Sequence, residues 1–153
     1  MDPFKMSNMS LKDTLYFAND HAGVELKTAL MTHALSLGYE AIDLGTNTQD
    51  SVDYPDYARI VALKLKENQN GIGILICGTG IGMSISANRH PWIRAAVCGK
   101  NLKIAKLARA HNHANVLCLG ARFIETGPAK KTLETFLTTP FEGGRHENRV
   151  KKL

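Results

Sequence analysis

The chain has 153 residues, of which 44% are hydrophobic and 22% are charged. This composition is typical of a single globular domain and excludes a largely disordered chain, and no apolar run reaches the roughly 20 residues that a membrane-spanning helix needs. The formal net charge of +5 leaves nucleic acid, an acidic lipid surface or a small anionic substrate as partners.

The cysteines and the N-terminus indicate the compartment. Cys77, Cys98 and Cys118 are odd in number and widely spaced, so they do not form a disulfide framework, and without a C-x-x-C pair they do not predict a structural zinc site. Free thiols and the lack of a secretory signal favour a reducing cytoplasm. Residues 1–10 have no apolar periodicity and are interpreted as a leader, disordered or foreign to the domain, which leaves residues 11–153 as one domain.

Short apolar runs alternate with amphipathic stretches along the chain. The predicted strands cover residues 15–18, 41–44, 72–76, 93–97 and 116–119. The predicted helices cover residues 23–37, 55–67, 82–87, 102–110 and 128–137. This β-α order predicts the α/β class, with a Rossmann-like three-layer αβα sandwich around a five-stranded parallel sheet. Ligands in such folds bind beyond the carboxyl ends of the strands.

The turn at residues 78–82 is rich in glycine and follows the most apolar predicted strand. It is not a dinucleotide fingerprint, because Met83 stands where G-x-G-x-x-G requires glycine and no acidic residue follows about 20 positions later. The Walker pattern is also absent. The turn is predicted to bind an anion through its N–H groups, with a ligand-free turn as the alternative. Cys77 precedes it and is either a base or nucleophile or an inert buried thiol.

Nine short motifs occur in one order from about residue 15 to the C-terminus. They are Asn19-Asp20-His21-Ala22-Gly23, Asp53-Tyr54-Pro55, Ile76-Cys77-Gly78-Thr79-Gly80-Ile81-Gly82, Ala87-Asn88-Arg89, Ile93-Arg94-Ala95, Ala110-His111-Asn112, Asn115-Val116-Leu117, Gly120-Ala121-Arg122 and Gly143-Gly144-Arg145-His146. Together they resemble the type B ribose-5-phosphate isomerases, a family that also includes isomerases of galactose 6-phosphate, allose 6-phosphate and tetrose phosphates.

The resemblance implies an aldose–ketose isomerisation between ribose 5-phosphate and ribulose 5-phosphate through a cis-enediolate, in the non-oxidative pentose phosphate pathway. It implies no metal and no organic cofactor. It further implies a homodimer, or a tetramer of paired dimers, with active sites that both chains build.

The resemblance also implies the role of each site residue. Cys77 matches the catalytic base, and because Met83 replaces the glutamate that some members use, the chain falls in the cysteine-based subgroup. His111 matches the residue that opens the sugar ring, and a histidine suits proton transfer at neutral pH. Thr79 and the N–H groups of the turn match the groups that stabilise the enediolate. The expected substrate-binding residues are Asp20, His21, Tyr54, Gly78, Gly80, Ile81, Gly82, Asn112, Arg122, Arg145 and Arg149.

The positive charge is concentrated at the C-terminus. Residues 143–153 contain Arg145, Arg149 and two lysines against Glu147 alone, which is +3 of the total +5. Both arginines match phosphate-binding positions, and their i, i+4 spacing places them on one face if the segment is helical. Three alternatives stay open: an isomerase of six-carbon sugar phosphates, a nucleotide- or flavin-binding module, and a nucleic-acid binder suggested by the charge alone. Neither a nucleic-acid partner nor a membrane partner is expected.

Overall fold

The computed structural model describes residues 13–153, so the predicted leader at residues 1–10 and the first two residues of the predicted domain lie outside the described part. The five strands are β1 (Thr14–Asn19), β2 (Glu40–Asp43), β3 (Ile72–Cys77), β4 (Ala95–Val97) and β5 (Val116–Gly120). The α-helices are α1 (Val24–Ser36), α2 (Tyr54–Glu67), α3 (Ile81–Ala87), α4 (Leu102–Ala110), α5 (Thr126–Thr138) and α6 (Arg145–Val150). No helix within residues 13–153 has the length and apolar character needed to cross a membrane.

All strand pairs are parallel, and the order in the sheet is β2-β1-β3-β5-β4. From β1 the chain moves outward to β2, and from β3 it moves to the other half of the sheet. The carboxyl ends of β1 and β3 therefore flank a topological switch point, which is where ligands bind in open α/β sheets. Asn19 is paired with Ile76, and Cys77 is paired with Gly120. These ends define the carboxyl edge of the sheet.

Helices cover both faces of the sheet, as the β-α order predicts. Leu30 of α1, Ala105 of α4 and Phe136 of α5 are fully buried on one face. Val61 of α2 and Met83 of α3 are fully buried on the other. Strand β3 is buried along its whole length, as expected for a central strand covered on both sides. The predicted three-layer sandwich is confirmed.

One predicted strand is shorter than expected, and one conditional expectation about the C-terminal segment is met. Strand β4 has only three residues, because side chains take the backbone N–H groups at its start: Asn115 Oδ1 accepts from Arg94 N at 2.7 Å and Asn88 Oδ1 from Ala95 N at 2.8 Å. The segment that carries Arg145 and Arg149 is helical, so the conditional expectation that both share one helical face is met by α6.

Candidate active site

Cys77 is the last residue of β3, and its side chain lies under the glycine turn. The residue is 4% exposed, and its Sγ accepts a hydrogen bond of 3.1 Å from the backbone N–H of Gly80. Gly80 adopts a φ of +79°, which favours glycine, and a Cβ there would lie 3.0 Å from the backbone of Leu119. The left-handed turn at Gly80 thus directs an N–H group at the sulfur and leads into α3.

Two polar side chains lie directly on this turn. A Cβ at Gly78 would lie 3.0 Å from Nη1 of Arg122, and a Cβ at Gly82 would lie 2.6 Å from the ring of Tyr54. The guanidinium and the phenol ring therefore pack against the two glycines, which have no side chain to displace them. Thr79 is exposed, and its Oγ1 accepts a hydrogen bond of 3.1 Å from Ile81 N.

Asp20 and His21 follow β1 at the same edge of the sheet. Backbone N of Asp20 donates to the carbonyl of Ile76 at 3.0 Å, and its Oδ1 accepts from Ala22 N at 2.9 Å, so the carboxylate is held at the N-terminus of a short 3₁₀ turn. His21 Nδ1 accepts a hydrogen bond of 3.3 Å from Val52 N. A neutral His21 consequently carries its proton on Nε2.

A buried lysine, which the sequence reasoning missed, holds the loop behind Asp20 and His21. Lys27 is 1% exposed, and its Nζ contacts Asp43 Oδ1 at 2.8 Å, the carbonyl of Thr46 at 2.8 Å and Asn47 Oδ1 at 2.9 Å. Asn19 Nδ2 donates to the same Thr46 carbonyl at 3.0 Å. The position of Lys27, beside the apolar stripe of α1, was the only signal that it could be buried.

Four predicted site residues lie at the opposite, amino edge of the sheet. His111 caps the C-terminus of α4, which runs back from the carboxyl edge, and Asn112 follows it before β5 begins. The backbone N–H of Glu142 donates to the carbonyl of Ala110 at 3.0 Å, and this bond fixes the segment that leads into α6 beside His111. Arg145 and Arg149 on α6 are exposed.

His111 forms a cluster with two residues to which the sequence analysis gave no role. Its ring stacks on that of His146, with centroids 4.0 Å apart and planes inclined by 14°. Oε2 of Glu142 lies 3.6 Å from His111 Nε2 and 3.7 Å from His146 Nε2. The three ligand atoms lie within 4.8 Å of one another, but stacked rings direct their lone pairs side by side and not at one point. A metal would require the rings to open.

The predicted residues thus fall into two groups within one chain. The carboxyl-edge group contains Asp20, His21, Tyr54, Cys77, Gly78, Thr79, Gly80, Ile81, Gly82 and Arg122, and the amino-edge group contains His111, Asn112, Arg145 and Arg149. Strand β5 separates them, and its five residues span about 13 Å. One chain therefore does not bring His111 to Cys77.

The other two cysteines have the environment of inert thiols. Burial raises the pKa of Cys98 to about 11. Burial, with smaller effects of Cys77 and Cys98, raises the pKa of Cys118 well above its usual range. Both stay protonated at neutral pH, and neither lies on the glycine turn. Cys118 is fully buried and packs as a small hydrophobic residue.

Known proteins resemble this chain over nearly its full length. The family model for ribose/galactose isomerases matches residues 15–153. Ribose-5-phosphate isomerase B of Escherichia coli is 43% identical over 137 residues, which cover 90% of this chain and 91% of that protein.

Solved structures agree with this match. A ribose 5-phosphate isomerase of Thermotoga maritima is 48% identical with a TM-score of 0.88, covering 92% of this chain and 96% of that one. Ribose-5-phosphate isomerase B of Mycoplasma genitalium, solved with bound ribulose 5-phosphate, is 41% identical with a TM-score of 0.88, covering 93% and 94%. The resemblance drawn from the nine motifs is confirmed: this chain belongs to the ribose/galactose isomerase family.

Proposed function

We propose that the protein interconverts ribose 5-phosphate and ribulose 5-phosphate, with Cys77 as the base that moves the proton between C2 and C1. The observation that carries the proposal is the Cys77 sulfur, held at 3.1 Å from the N–H of Gly80, beside the Arg122 guanidinium at the switch point of the sheet. A proton-accepting sulfur and a guanidinium able to bind phosphate thus lie on the same glycine turn. The Escherichia coli relative is named as an isomerase of ribose 5-phosphate, and the Mycoplasma genitalium relative was solved with bound ribulose 5-phosphate.

The chemistry follows from this geometry. The thiolate of Cys77 takes the proton from C2 of the open-chain aldose, and the electron pair moves into the C1–C2 bond while the carbonyl oxygen on C1 becomes negative. The Thr79 hydroxyl and the N–H groups of the turn other than those of Gly80 and Ile81, which bond to Cys77 Sγ and Thr79 Oγ1, stabilise that oxygen. Cys77 then returns its proton to C1, and the proton of the C2 hydroxyl moves to the oxygen on C1. The product is the ketose.

Ring opening and part of the phosphate binding are assigned to the amino-edge group. Cyclic ribose 5-phosphate has no free carbonyl, so the C1–O4 bond must break before Cys77 can act, and His111 is the proposed acid and base for that step. The guanidinium groups of Arg145 and Arg149 would bind one side of the phosphate. His21 and Arg122 would bind its opposite side.

Because the two groups lie at opposite edges, we propose a homodimer in which each site takes its carboxyl-edge group from one chain and its amino-edge group from the other. The separation by β5 supports this arrangement. Exposed apolar side chains next to the glycine turn also support it: Ile81 and Ile85 of α3 are each 54% exposed, and Phe123 is 77% exposed. An enzyme in a reducing cytoplasm is consistent with three free cysteines.

Complementation tests the shared site. Cys77→Ala and His111→Asn chains, each inactive alone, are unfolded together and refolded. Random pairing makes about half of the dimers mixed, each with one intact site of two, so the mixture is expected to regain about a quarter of wild-type turnover. No recovery, with a dimer found by light scattering, would place all catalytic groups of a site in one chain. Light scattering also shows whether the active sample is dimeric, and activity in a monomeric sample would contradict the shared site.

The five-carbon substrate is tested against the six-carbon alternatives in one experiment. Turnover of ribose 5-phosphate, allose 6-phosphate and galactose 6-phosphate is compared at equal enzyme concentration, with the aldose and ketose resolved by NMR. We expect the largest kcat/KM for ribose 5-phosphate. A larger value for either hexose phosphate would assign the chain to the six-carbon branch, and no turnover of the three would contradict the isomerase proposal.

A further inference from the structure

We propose that Glu142 and His146 are positioning residues for His111: they hold its imidazole ring in place and assign the single proton of the stacked pair to His111. The inference rests on the proposed role of His111 in ring opening. Neither residue was predicted to belong to the site, and neither needs to touch the sugar to act in this way.

The packing around His111 restricts its ring. His146 is 7% exposed, so its own ring is fixed, and its flat face lies 4.0 Å from that of His111. A ring stacked at this distance cannot rotate about χ2 without losing the contact. The N–H of Glu142 is bonded to the carbonyl of Ala110, the residue before His111. A backbone hydrogen bond therefore joins the segment that ends in His111 to the segment that carries Glu142 and His146.

The charges around the pair permit one proton more readily than two. One carboxylate oxygen of Glu142 lies at nearly equal distances, 3.6 and 3.7 Å, from the two Nε2 atoms. A single carboxylate can neutralise one imidazolium, whereas two imidazolium rings stacked at 4.0 Å repel each other.

The groups facing His146 decide which ring is charged. Burial, then His111 and Arg145, and finally Arg149 lower the pKa of His146, while Glu142 acts in the opposite direction. Charge is therefore disfavoured on His146, and of the two rings His111, with 34% of its side chain exposed against 9% for His146, is the one that can be charged at lower cost. His146 acts as a flat, buried and uncharged support.

This assignment matches what ring opening needs. When the C1–O4 bond breaks, O4 gains a proton and the hydroxyl on C1 loses one, so the step requires no net proton. An imidazolium at His111 can donate to O4 and then be restored by the proton from the C1 hydroxyl. If His111 shared the proton equally with a second ring, only half of the His111 side chains would be imidazolium and able to donate to O4.

The test measures the titration of His111 directly by NMR of protein with labelled histidines, in wild type, Glu142→Gln and His146→Phe. Loss of the carboxylate in Glu142→Gln is expected to lower the His111 titration midpoint by about half a pH unit to one unit. Wild type is expected to show two coupled steps, and His146→Phe, which keeps a flat apolar ring, a single step. Glu134→Gln is the matched control, because Glu134 pairs with His33 at 2.6 Å between α1 and α5, and it should leave His111 unchanged.

Kinetics provide the second readout. The alkaline limb of the kcat/KM profile should move to lower pH in Glu142→Gln and stay in place in Glu134→Gln. An unmoved His111 midpoint and an unmoved limb in Glu142→Gln would overturn the proposal. Because the Glu142 side chain is 58% exposed, Glu142→Gln is expected to fold. This variant therefore decides the question even if His146→Phe fails to fold. Absence of wild-type turnover would instead refute the proposed function, since the NMR titration does not depend on activity.

Discussion

The carboxyl-edge and amino-edge groups are built in different ways. Cys77 and Asp20 are buried at strand ends, and backbone N–H groups fix their side-chain atoms. Arg145 and Arg149 project from a helix of six residues and are exposed. Cys77 and Asp20 are rigid because the central sheet positions them, whereas the two arginines of the amino edge are long side chains that can adjust to a ligand.

The difference matches the chemistry proposed for each edge. Proton abstraction from carbon requires the base within a few tenths of an ångström of its place, and a buried strand end provides that precision. Binding a phosphate requires charge and hydrogen-bond donors, and arginine side chains provide both over a range of positions. The following four predictions test this comparison, beginning with the largest effect.

Cys77→Ala removes the proposed base of the carboxyl edge. We expect kcat to fall about 10³-fold, the order of magnitude for loss of a general base, with KM for ribose 5-phosphate little changed. Cys98→Ala is the matched control, since Cys98 is 2% exposed and has no assigned role. Equal activity of the two variants in a steady-state assay would contradict the assignment of the base.

Lys27→Met removes the buried charge behind the carboxyl edge. The variant removes the ion-pair partner of Asp43 and one of the two side-chain donors to the Thr46 carbonyl, which costs about 3 kcal/mol in the free energy of unfolding. Urea denaturation followed by circular dichroism measures the loss. Because the loop that leads to Tyr54 is held by this lysine, kcat should also fall in the folded variant. A stability within about 0.5 kcal/mol of wild type would mean that the lysine contributes little.

Arg149→Ala removes one charged fork from the amino edge. Loss of a charge-assisted hydrogen bond should raise KM for ribose 5-phosphate about tenfold, with a smaller change in kcat. Lys152→Ala is the control, because it removes the same charge from the same tail at an exposed position. If both variants raise KM equally, the tail attracts the substrate by general charge and Arg149 has no specific contact.

Glu147→Gln changes an exposed ion pair on the amino edge. Glu147 lies 3.5 Å from Lys151 one turn along α6, and both side chains are more than half exposed. We expect the free energy of unfolding to change by less than about 0.5 kcal/mol. A loss comparable with that of Lys27→Met would show that α6 is as firmly held as the carboxyl edge.

Local signals in the sequence predict most of the fold, whereas the residues of the carboxyl-edge group are expected chiefly from the family resemblance. Continuous apolar runs mark the buried strands, and the residues that end them, such as Asp20 and Cys77, must lie at one edge of a parallel sheet. The glycines of the turn indicate that other groups pack closely against it. The sequence of the turn does not reveal that these groups are the side chains of Arg122 and Tyr54.

The remaining features depend on contacts between distant segments. His111 and Glu142 belong to different elements, and only the return of the chain after α5 brings them together. Lys27 resembles any exposed helical lysine until the loop after β2 closes over it. Strand β4 is shorter than its apolar run because two asparagine side chains occupy its backbone donors. Such features follow from tertiary packing, which residue periodicity does not encode.

The placement of the two groups on opposite edges has a consequence for how activity depends on amount. If each site takes Cys77 from one chain and His111 from the other, as proposed above, a lone chain turns over no substrate even when it is fully folded. Specific activity should therefore fall on dilution below the dissociation constant of the pair, with unchanged circular dichroism. The rate of the enzyme at low abundance would then rise with the square of the chain concentration, which makes assembly itself a control on flux.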